Sequence, residues 1–234
     1  MLDWVDRNLD RLGGLLLPSR CILCGSRGQV PLLDLCGPCE KSLPPADPVV
    51  RSGPAPLRAS CAPFEYGHPL DHLVHALKYR GQLAAGRVLG SLLGSRVTAL
   101  GLGRDADVLV PVPLHRSRHA TRGFNQSAEI ARWVSRHLGP PVAPRLAERC
   151  RATLPQVGLH LPEREANVRG AFVAAAGVSG RRVVVIDDVT TTGSTLQELA
   201  AALTAAGAIS VDAWCVARAD RREIRAPATG ERSP

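Results

Sequence analysis

The chain has 234 residues, 45% of them hydrophobic and 21% charged, and its formal net charge is +8. This length suffices for one domain with a full hydrophobic core plus a small appendage. No apolar run approaches the length of a membrane span, and acids within the first ten residues exclude a signal peptide, so we expect a cytoplasmic protein with no membrane span.

Arginine supplies nearly all of the positive charge, since Lys41 and Lys78 are the only lysines. Such a balance is typical of a solvated arginine surface. It fits an anionic partner equally well, either a phosphorylated ligand or nucleic acid. The composition leaves both interpretations open.

The amino-terminal region combines a short amphipathic helix, predicted over residues 2–17, with two CxxC pairs. Four thiolates in two such pairs can surround one tetrahedral zinc ion, and a shell filled by four cysteines indicates a structural metal. So small a module has no core of its own, so metal binding would supply its folding energy. The predicted Zn²⁺ ligands are Cys21, Cys24, Cys36 and Cys39.

Residues 42–60 are rich in Pro, Ser and Gly and show no periodicity, which is typical of a linker. We therefore predict a domain boundary near residue 58. Residues 1–57 would hold the helix, the cysteine module and the linker, and residues 58–218 the main domain. The polar residues 219–234 are predicted to form a disordered tail.

Strands and helices alternate along the main domain. The apolar patterns predict strands over residues 61–66, 107–113, 181–187 and 209–217, and helices over residues 69–81, 82–100, 125–138 and 193–207. This alternation predicts an α/β fold in which helices cover both faces of a parallel sheet.

The stretch VVVIDDVTTTGST, residues 183–195, places two adjacent acids at the end of a buried strand. Ligands bind beyond the carboxyl ends of parallel strands, and the amides and hydroxyls at the following helix start favour a phosphate. The acids would repel a phosphate but can accept hydrogen bonds from a vicinal diol. They lie too far upstream to cap the next helix. We predict a ribose 5-phosphate site formed by Asp187, Asp188, Thr190, Thr191, Thr192, Gly193, Ser194 and Thr195.

Three further segments could complete this site. A basic loop follows the strand over residues 107–113, a long irregular segment spans residues 149–172, and Lys78 precedes a glycine at a helix end. Arginines can fork onto phosphate oxygens, and a long loop is often a lid. A solvated basic loop, a surface ion pair and an ordinary basic helix end are the alternatives. The candidates are Lys78, Arg116, Arg118 and Arg122 for phosphate, and Gln156, Arg164, Asn167 and Arg169 in the lid.

The stretches ALKYRG, VPVPLHRSRHATRGFNQ, TLPQVGLHLPEREANVRGAF and VVVIDDVTTTGSTL occur in that order after CILCG and CGPCE. Together they resemble the ComF family, phosphoribosyltransferase-like proteins linked to competence for DNA uptake. The resemblance implies a type I phosphoribosyltransferase fold that binds phosphoribosyl pyrophosphate (PRPP) through the acidic pair and the loop after it. It also implies Mg²⁺ bound with PRPP, a pyrophosphate loop and a mobile hood. Thr190 departs from the family pattern, which usually has a hydrophobic residue there.

An active enzyme of this kind would displace pyrophosphate from the ribose C1 with a nitrogen nucleophile. The sequence identifies neither an acceptor pocket nor a general base, so the catalytic residues stay unassigned. One alternative is a competence factor that binds single-stranded DNA, contacts the DNA-uptake machinery and uses PRPP without catalysis. Aromatic residues make up only 3% of the chain, and Tyr79, Phe124 and Trp133 would have to stack on the bases. A nucleotide-salvage phosphoribosyltransferase is the other alternative.

Overall fold

The computed structural model describes residues 19–29, 34–46, 56–152 and 166–219, together with the backbone of residues 51–52. The helix predicted over residues 2–17 and all but the first residue of the predicted tail lie outside this range. Among the described residues, no helix combines the length and apolar character needed to cross a membrane.

The described elements follow the predicted alternation. The strands are β1 (Arg51–Ser52), β2 (Ala59–Cys61), β3 (Phe64–Glu65), β4 (Val108–Pro111), β5 (Ala147–Arg149), β6 (Phe172–Ala174), β7 (Arg182–Thr190) and β8 (Ser210–Arg218). The helices are α1 (Gly37–Lys41), α2 (Leu70–Arg80), α3 (Leu83–Ala99), α4 (Arg116–Arg122), α5 (Gln126–Leu138) and α6 (Ser194–Ala205).

The main sheet has the order β1-β2-β8-β7-β4, and β3 pairs with β8 beyond the end of β2. All of these pairings are parallel except that of β1 with β2. The predicted parallel α/β fold is therefore confirmed. The stretch predicted as one strand over residues 61–66 belongs to two short strands, both of which lie along β8.

The two faces of the sheet bury two separate apolar cores. Val184 and Ile186 of β7 belong to the core that includes residues of α2, α3 and α5. Val183 and Val185 point the other way, into the core with α6. This alternation follows from the period-two geometry of a strand, and it makes β7 the central support of the fold.

Helices α3 and α5 approach each other closely along a row of glycines on α3. A Cβ atom at Gly90 would lie 2.6 Å from both the carbonyl oxygen of Ile130 and the Cβ of Trp133. Any side chain there would force the helices apart. Close packing at this point fixes α5, whose first turn reaches the predicted ligand site.

Part of the predicted linker is built into the edge of the sheet. The residues on either side of Pro45 form backbone hydrogen bonds with the segment around Phe64, and β1 pairs with β2. Edge positions tolerate proline because one side of the strand needs no ladder donors. The cysteine module packs against the same core as α2 and α3 through Leu35 and Leu43, which are 0% and 3% exposed.

Two local predictions differ from the structure. The basic loop predicted after β4 contains a seven-residue helix, α4. The long segment predicted as irregular begins and ends in strands, because β5 and β6 pair as an antiparallel hairpin. Such a pairing joins residues far apart in the chain, so no local pattern indicates it.

Candidate functional site

The acidic pair lies within β7, two to three residues before the strand ends. Strand β4 stops at Pro111, which pairs with Ile186, so Asp187 and Asp188 extend past the end of β4. On the other side, Asp187 still pairs with Cys215 of β8. Both carboxylates therefore lie where one neighbouring strand has ended, which is where ligands bind in open parallel sheets.

Asp188 forms a buried ion pair with Lys78, which α2 carries in its last turn. The Lys78 Nζ lies 2.8 Å from Oδ2 of Asp188, and the two side chains are 22% and 4% exposed. Burial opposes the charge of Lys78, but the charges of Asp188 and Asp187 outweigh it and raise the lysine pKa. Lys78 therefore stays protonated next to the acidic pair.

Asp187 accepts a hydrogen bond of 2.8 Å from the hydroxyl of Ser127, in the first turn of α5. Burial, followed by the neighbouring charge of Asp188, raises the pKa of Asp187 to about 7. Ser127 and Lys78 act in the opposite direction and favour the ionised form. A carboxyl group in this setting changes protonation near neutral pH.

The loop after β7 carries the predicted hydroxyl groups to the start of α6. Gly193 has φ 79°, a left-handed conformation that favours glycine, and a Cβ there would meet nothing within 4 Å. The hydroxyls of Thr192 and Ser194 lie 2.7 Å apart. The described loop residues are half-buried, and the first amides of a twelve-residue helix follow them. The arrangement suits an anion.

The basic segment after β4 is organised by helix caps. The side chain of His115 accepts from the amide of Ser117 at the start of α4, and Asn125 caps α5 in the same way. Arg122 donates to Gln126 and lies over the ring of Tyr79, 5.7 Å from its centroid. Arg116 is 88% exposed and pairs with Glu148.

Two residues at this site were not singled out from the sequence. In the sequence, Ser127 resembles any serine at the start of a helix, and only the packing of α5 brings it to Asp187. Arg149 on β5 is 6% exposed and stacks on Phe172. Burial lowers the pKa of Arg149, as does the charge of Arg118, whereas Asp187 raises it. An arginine at an inward-facing position of a strand is unusual, and this feature of the sequence could have identified Arg149.

The predicted lid residues divide between the described and undescribed parts of the chain. Gln156 and Arg164 lie outside the described residues. Asn167 is half-buried and Arg169 is exposed. The guanidinium of Arg151 donates to the backbone carbonyl groups of both. The amide of the next residue, Gly170, donates to Glu198 of α6, which ties this end of the segment to the helix that follows residues 190–195.

The four predicted zinc ligands come together in the structure. The sulfur atoms of Cys21, Cys24, Cys36 and Cys39 all lie within 4.8 Å of one another. Those of Cys24 and Cys36 are 3.6 Å apart. A tetrahedron with Zn–S bonds of about 2.3 Å has sulfur–sulfur edges of about 3.8 Å, so the cluster fits one such ion. Hydrogen bonds, first from the side chain of Ser26, lower the pKa of Cys24 to about 6. Burial and the neighbouring thiols of the cluster raise the pKa of Cys36 and Cys39. Without an ion, the cluster therefore favours one thiolate among protonated thiols, and binding a metal would release protons.

Comparison with known proteins decides the family. The DNA utilization protein YhgH of Salmonella typhimurium is 36% identical over 227 residues, which cover 87% of this chain and 99% of that protein. Competence protein F of Haemophilus influenzae is 33% identical, with 85% and 84% covered. The chain belongs to the ComF family. The YhgH protein of Escherichia coli is 35% identical, with 86% of this chain and 84% of that protein covered. Residues 127–229 match the phosphoribosyl transferase domain.

Two solved structures match this ComF-family chain at lower identity. The glutamine PRPP amidotransferase from B. subtilis is 24% identical with a TM-score of 0.38, covering 56% of this chain and 26% of that one. The purine phosphoribosyltransferase from Pyrococcus horikoshii is 20% identical with a TM-score of 0.33, covering 56% and 71%. The parallel strand order and the domain match show a type I phosphoribosyltransferase fold. The four-cysteine cluster lies in the amino-terminal module that precedes it.

Proposed function

We propose that this chain binds PRPP together with Mg²⁺ at the acidic pair, as a ComF-type protein linked to DNA utilization. The observation that carries the proposal is the buried ion pair between Asp188 and Lys78, beside the half-buried hydroxyl loop that opens α6. Two carboxylates with one lysine are partly uncompensated, and hydroxyl donors from a ribose would satisfy their remaining lone pairs. The 5-phosphate would bind the amides and hydroxyls of the loop.

The proposed roles follow from charge. Asp187 and Asp188 accept from the ribose hydroxyls, and residues 190–195 hold the 5-phosphate. Arg116, Arg118 and Arg122 bind the pyrophosphate together with Lys78, which also pairs with Asp188. The lid residues Gln156, Arg164, Asn167 and Arg169 would close over it. Mg²⁺ bound through the ligand's own oxygens would screen the pyrophosphate charge.

Thermal unfolding at pH 8, with and without PRPP and Mg²⁺, tests the proposal. The wild type should be stabilised, and Asp187→Asn should lose most of that shift. Because the folded-state pKa of about 7 lies above the usual 3.8, ionised Asp187 costs stability at pH 8. Without ligand, Asp187→Asn should therefore be more stable than the wild type. The expected gain in the free energy of unfolding is about 2 kcal/mol after allowing for solvent screening.

Asp105→Asn is the matched control, since Asp105 is an exposed acid that pairs with Arg58. It should respond to PRPP as the wild type does. An unresponsive wild type, or an Asp187→Asn variant with the full shift, would contradict PRPP binding at this site. Pyrophosphate release with a panel of bases and amines then distinguishes phosphoribosyl transfer, including nucleotide salvage, from binding alone.

Single-stranded DNA binding is a second candidate, supported by the names of the relatives and by one aromatic residue. Tyr79 is 68% exposed beside Arg122, whereas Phe124 and Trp133 are half-buried. An exposed ring next to guanidinium groups can stack on a base. None of the seven cysteines forms a disulfide, and four of them form the metal-type cluster, which supports a reducing, cytoplasmic location for such a protein.

Fluorescence anisotropy with a labelled single strand tests DNA binding. Affinity should fall as salt rises, and Tyr79→Ala should weaken binding by about tenfold, within the range of one lost stacking contact. Leu83→Ala removes another exposed apolar side chain and should have no effect. Affinity that ignores both salt and Tyr79→Ala would count against direct DNA binding.

A further inference from the structure

Three side chains with metal-binding chemistry meet at the start of α2, apart from the cysteine cluster. They are His68, Asp71 and His72, and each offers a ligand atom within 4.8 Å of the other two. The Nδ1 of His72 lies 2.9 Å from Oδ1 of Asp71 and 3.3 Å from Nδ1 of His68. The remaining pair, Nδ1 of His68 and Oδ1 of Asp71, is 4.0 Å apart.

The local chain explains why these atoms converge. Pro69 precedes the first residue of α2, so His68 lies just outside the helix while Asp71 and His72 lie in its first turn. The two imidazole rings meet edge to face, at 84° and with centroids 4.9 Å apart. This contact brings the two Nδ1 atoms to 3.3 Å from each other. His75, one turn further on, instead contacts Tyr79 and takes no part.

Hydrogen bonding accounts for both contacts of His72 only through a shared proton. Its Nδ1 carries one proton or one lone pair. As a donor, it would divide that proton between Nδ1 of His68 and Oδ1 of Asp71, which already accepts from the backbone amide of His72. As an acceptor from His68, it would place its lone pair against the carboxylate of Asp71. A cation between the three atoms would satisfy every contact at once, because both imidazoles and the carboxylate then donate electron pairs.

The distances also fit a metal ion in size. The point equidistant from the three ligand atoms lies about 2.0 Å from each, which matches metal–nitrogen and metal–oxygen bonds of about 2.0–2.2 Å. Because this in-plane distance already equals a bond length, an ion bound to all three atoms must lie close to their plane, with His68 and Asp71 nearly opposite. Planar nitrogen and oxygen ligands favour Ni²⁺ or Cu²⁺, in contrast to the tetrahedral sulfur cluster.

We propose that His68, Asp71 and His72 form a second metal site, which binds one divalent transition metal of tetragonal preference such as Ni²⁺ or Cu²⁺. Both histidine side chains are exposed, at 76% and 63%, so the remaining coordination positions open to water. Asp71 supplies the one negative charge among the ligands. The site depends on neither the zinc cluster nor PRPP.

Equilibrium dialysis of the full, zinc-loaded chain against Ni²⁺ tests this site, with protein purified without a histidine tag. The wild type should bind one Ni²⁺ per chain while its zinc content stays constant. His68→Ala and His72→Ala should each weaken Ni²⁺ binding by at least tenfold, because each removes one of three protein ligands. His75→Ala is the matched control, an exposed histidine on the same helix, and should bind as the wild type does.

A wild type that takes up no Ni²⁺ would overturn the proposal, as would either histidine variant that binds Ni²⁺ like the wild type. Electron paramagnetic resonance of the Cu²⁺ form gives an independent readout. Its hyperfine pattern should report two protein nitrogens in the wild type and one in each histidine variant. An unchanged pattern in both variants would place the metal elsewhere.

Discussion

Replacing Lys78 with methionine is expected to lower the free energy of unfolding by about 3–5 kcal/mol at pH 8. The change leaves Asp188, 4% exposed, without its cation and directly beside Asp187. Urea denaturation measures the loss. The double variant Lys78→Met/Asp188→Asn should recover most of it, because a buried pair replaced by neutral groups costs far less than a single buried charge.

The loss in Lys78→Met should shrink when the pH falls below about 7. Burial and Asp188 raise the pKa of Asp187 to about 7 although Lys78 lowers it, so in the variant Asp187 takes up a proton at a still higher pH and the repulsion between the two carboxyl groups weakens. Denaturation at pH 8 and pH 5.5 measures this difference. Arg132→Met, which breaks an exposed pair with Glu129, should cost less than about 1 kcal/mol at either pH. A Lys78→Met variant as stable as that control would show that the pair is not buried in solution.

Removing the zinc ion that the cysteine cluster is predicted to hold is expected to destabilise the whole chain, not only the cysteine module. Leu35 and Leu43 of the module are buried in the core that also holds α2 and α3, and Asp34 pairs with Arg87 of α3. Exposing these two leucines should cost about 3–6 kcal/mol. Chelation followed by thermal unfolding measures the effect, and Cys39→Ser should reproduce it without a chelator.

Cys150→Ser is the control for this experiment, because Cys150 is an exposed thiol outside the cluster. It should unfold like the wild type and respond to the chelator in the same way. If chelation leaves the transition of the α/β domain unchanged, the module contributes nothing to the stability of that domain.

Local periodicity predicts the regular elements of this chain closely. Helix α2 was expected over residues 69–81 and spans Leu70–Arg80, since apolar spacing marks its buried face and Gly81 ends it with a left-handed residue. The end of β7 was expected at Asp187, where the apolar run stops. The strand continues to Thr190 because β8 still pairs with it, and a local pattern carries no information on pairing.

The candidate site likewise combines residues that the sequence indicates with residues that only the packing brings together. The acidic pair and the hydroxyl loop are close together in the sequence, so one short stretch is enough to predict their chemistry. Lys78, Ser127 and Arg149 lie on other elements, and their relation to the acids depends on how α2, α5 and β5 pack. Ser127 in particular carries no local signal, because a serine in the first turn of a helix is common for reasons of capping alone.

The sequence by itself determined the α/β class, the zinc-type cysteine pairs, the family and the loop that suits a phosphate, because each depends on residues close together in the chain. Only the tertiary structure decided which cation neutralises Asp188, which hydroxyl contacts Asp187 and that the cysteine module shares the main core. It also brought His68 to within reach of Asp71 and His72. Contacts between distant residues depend on packing geometry, and burial then sets the strength of each charge.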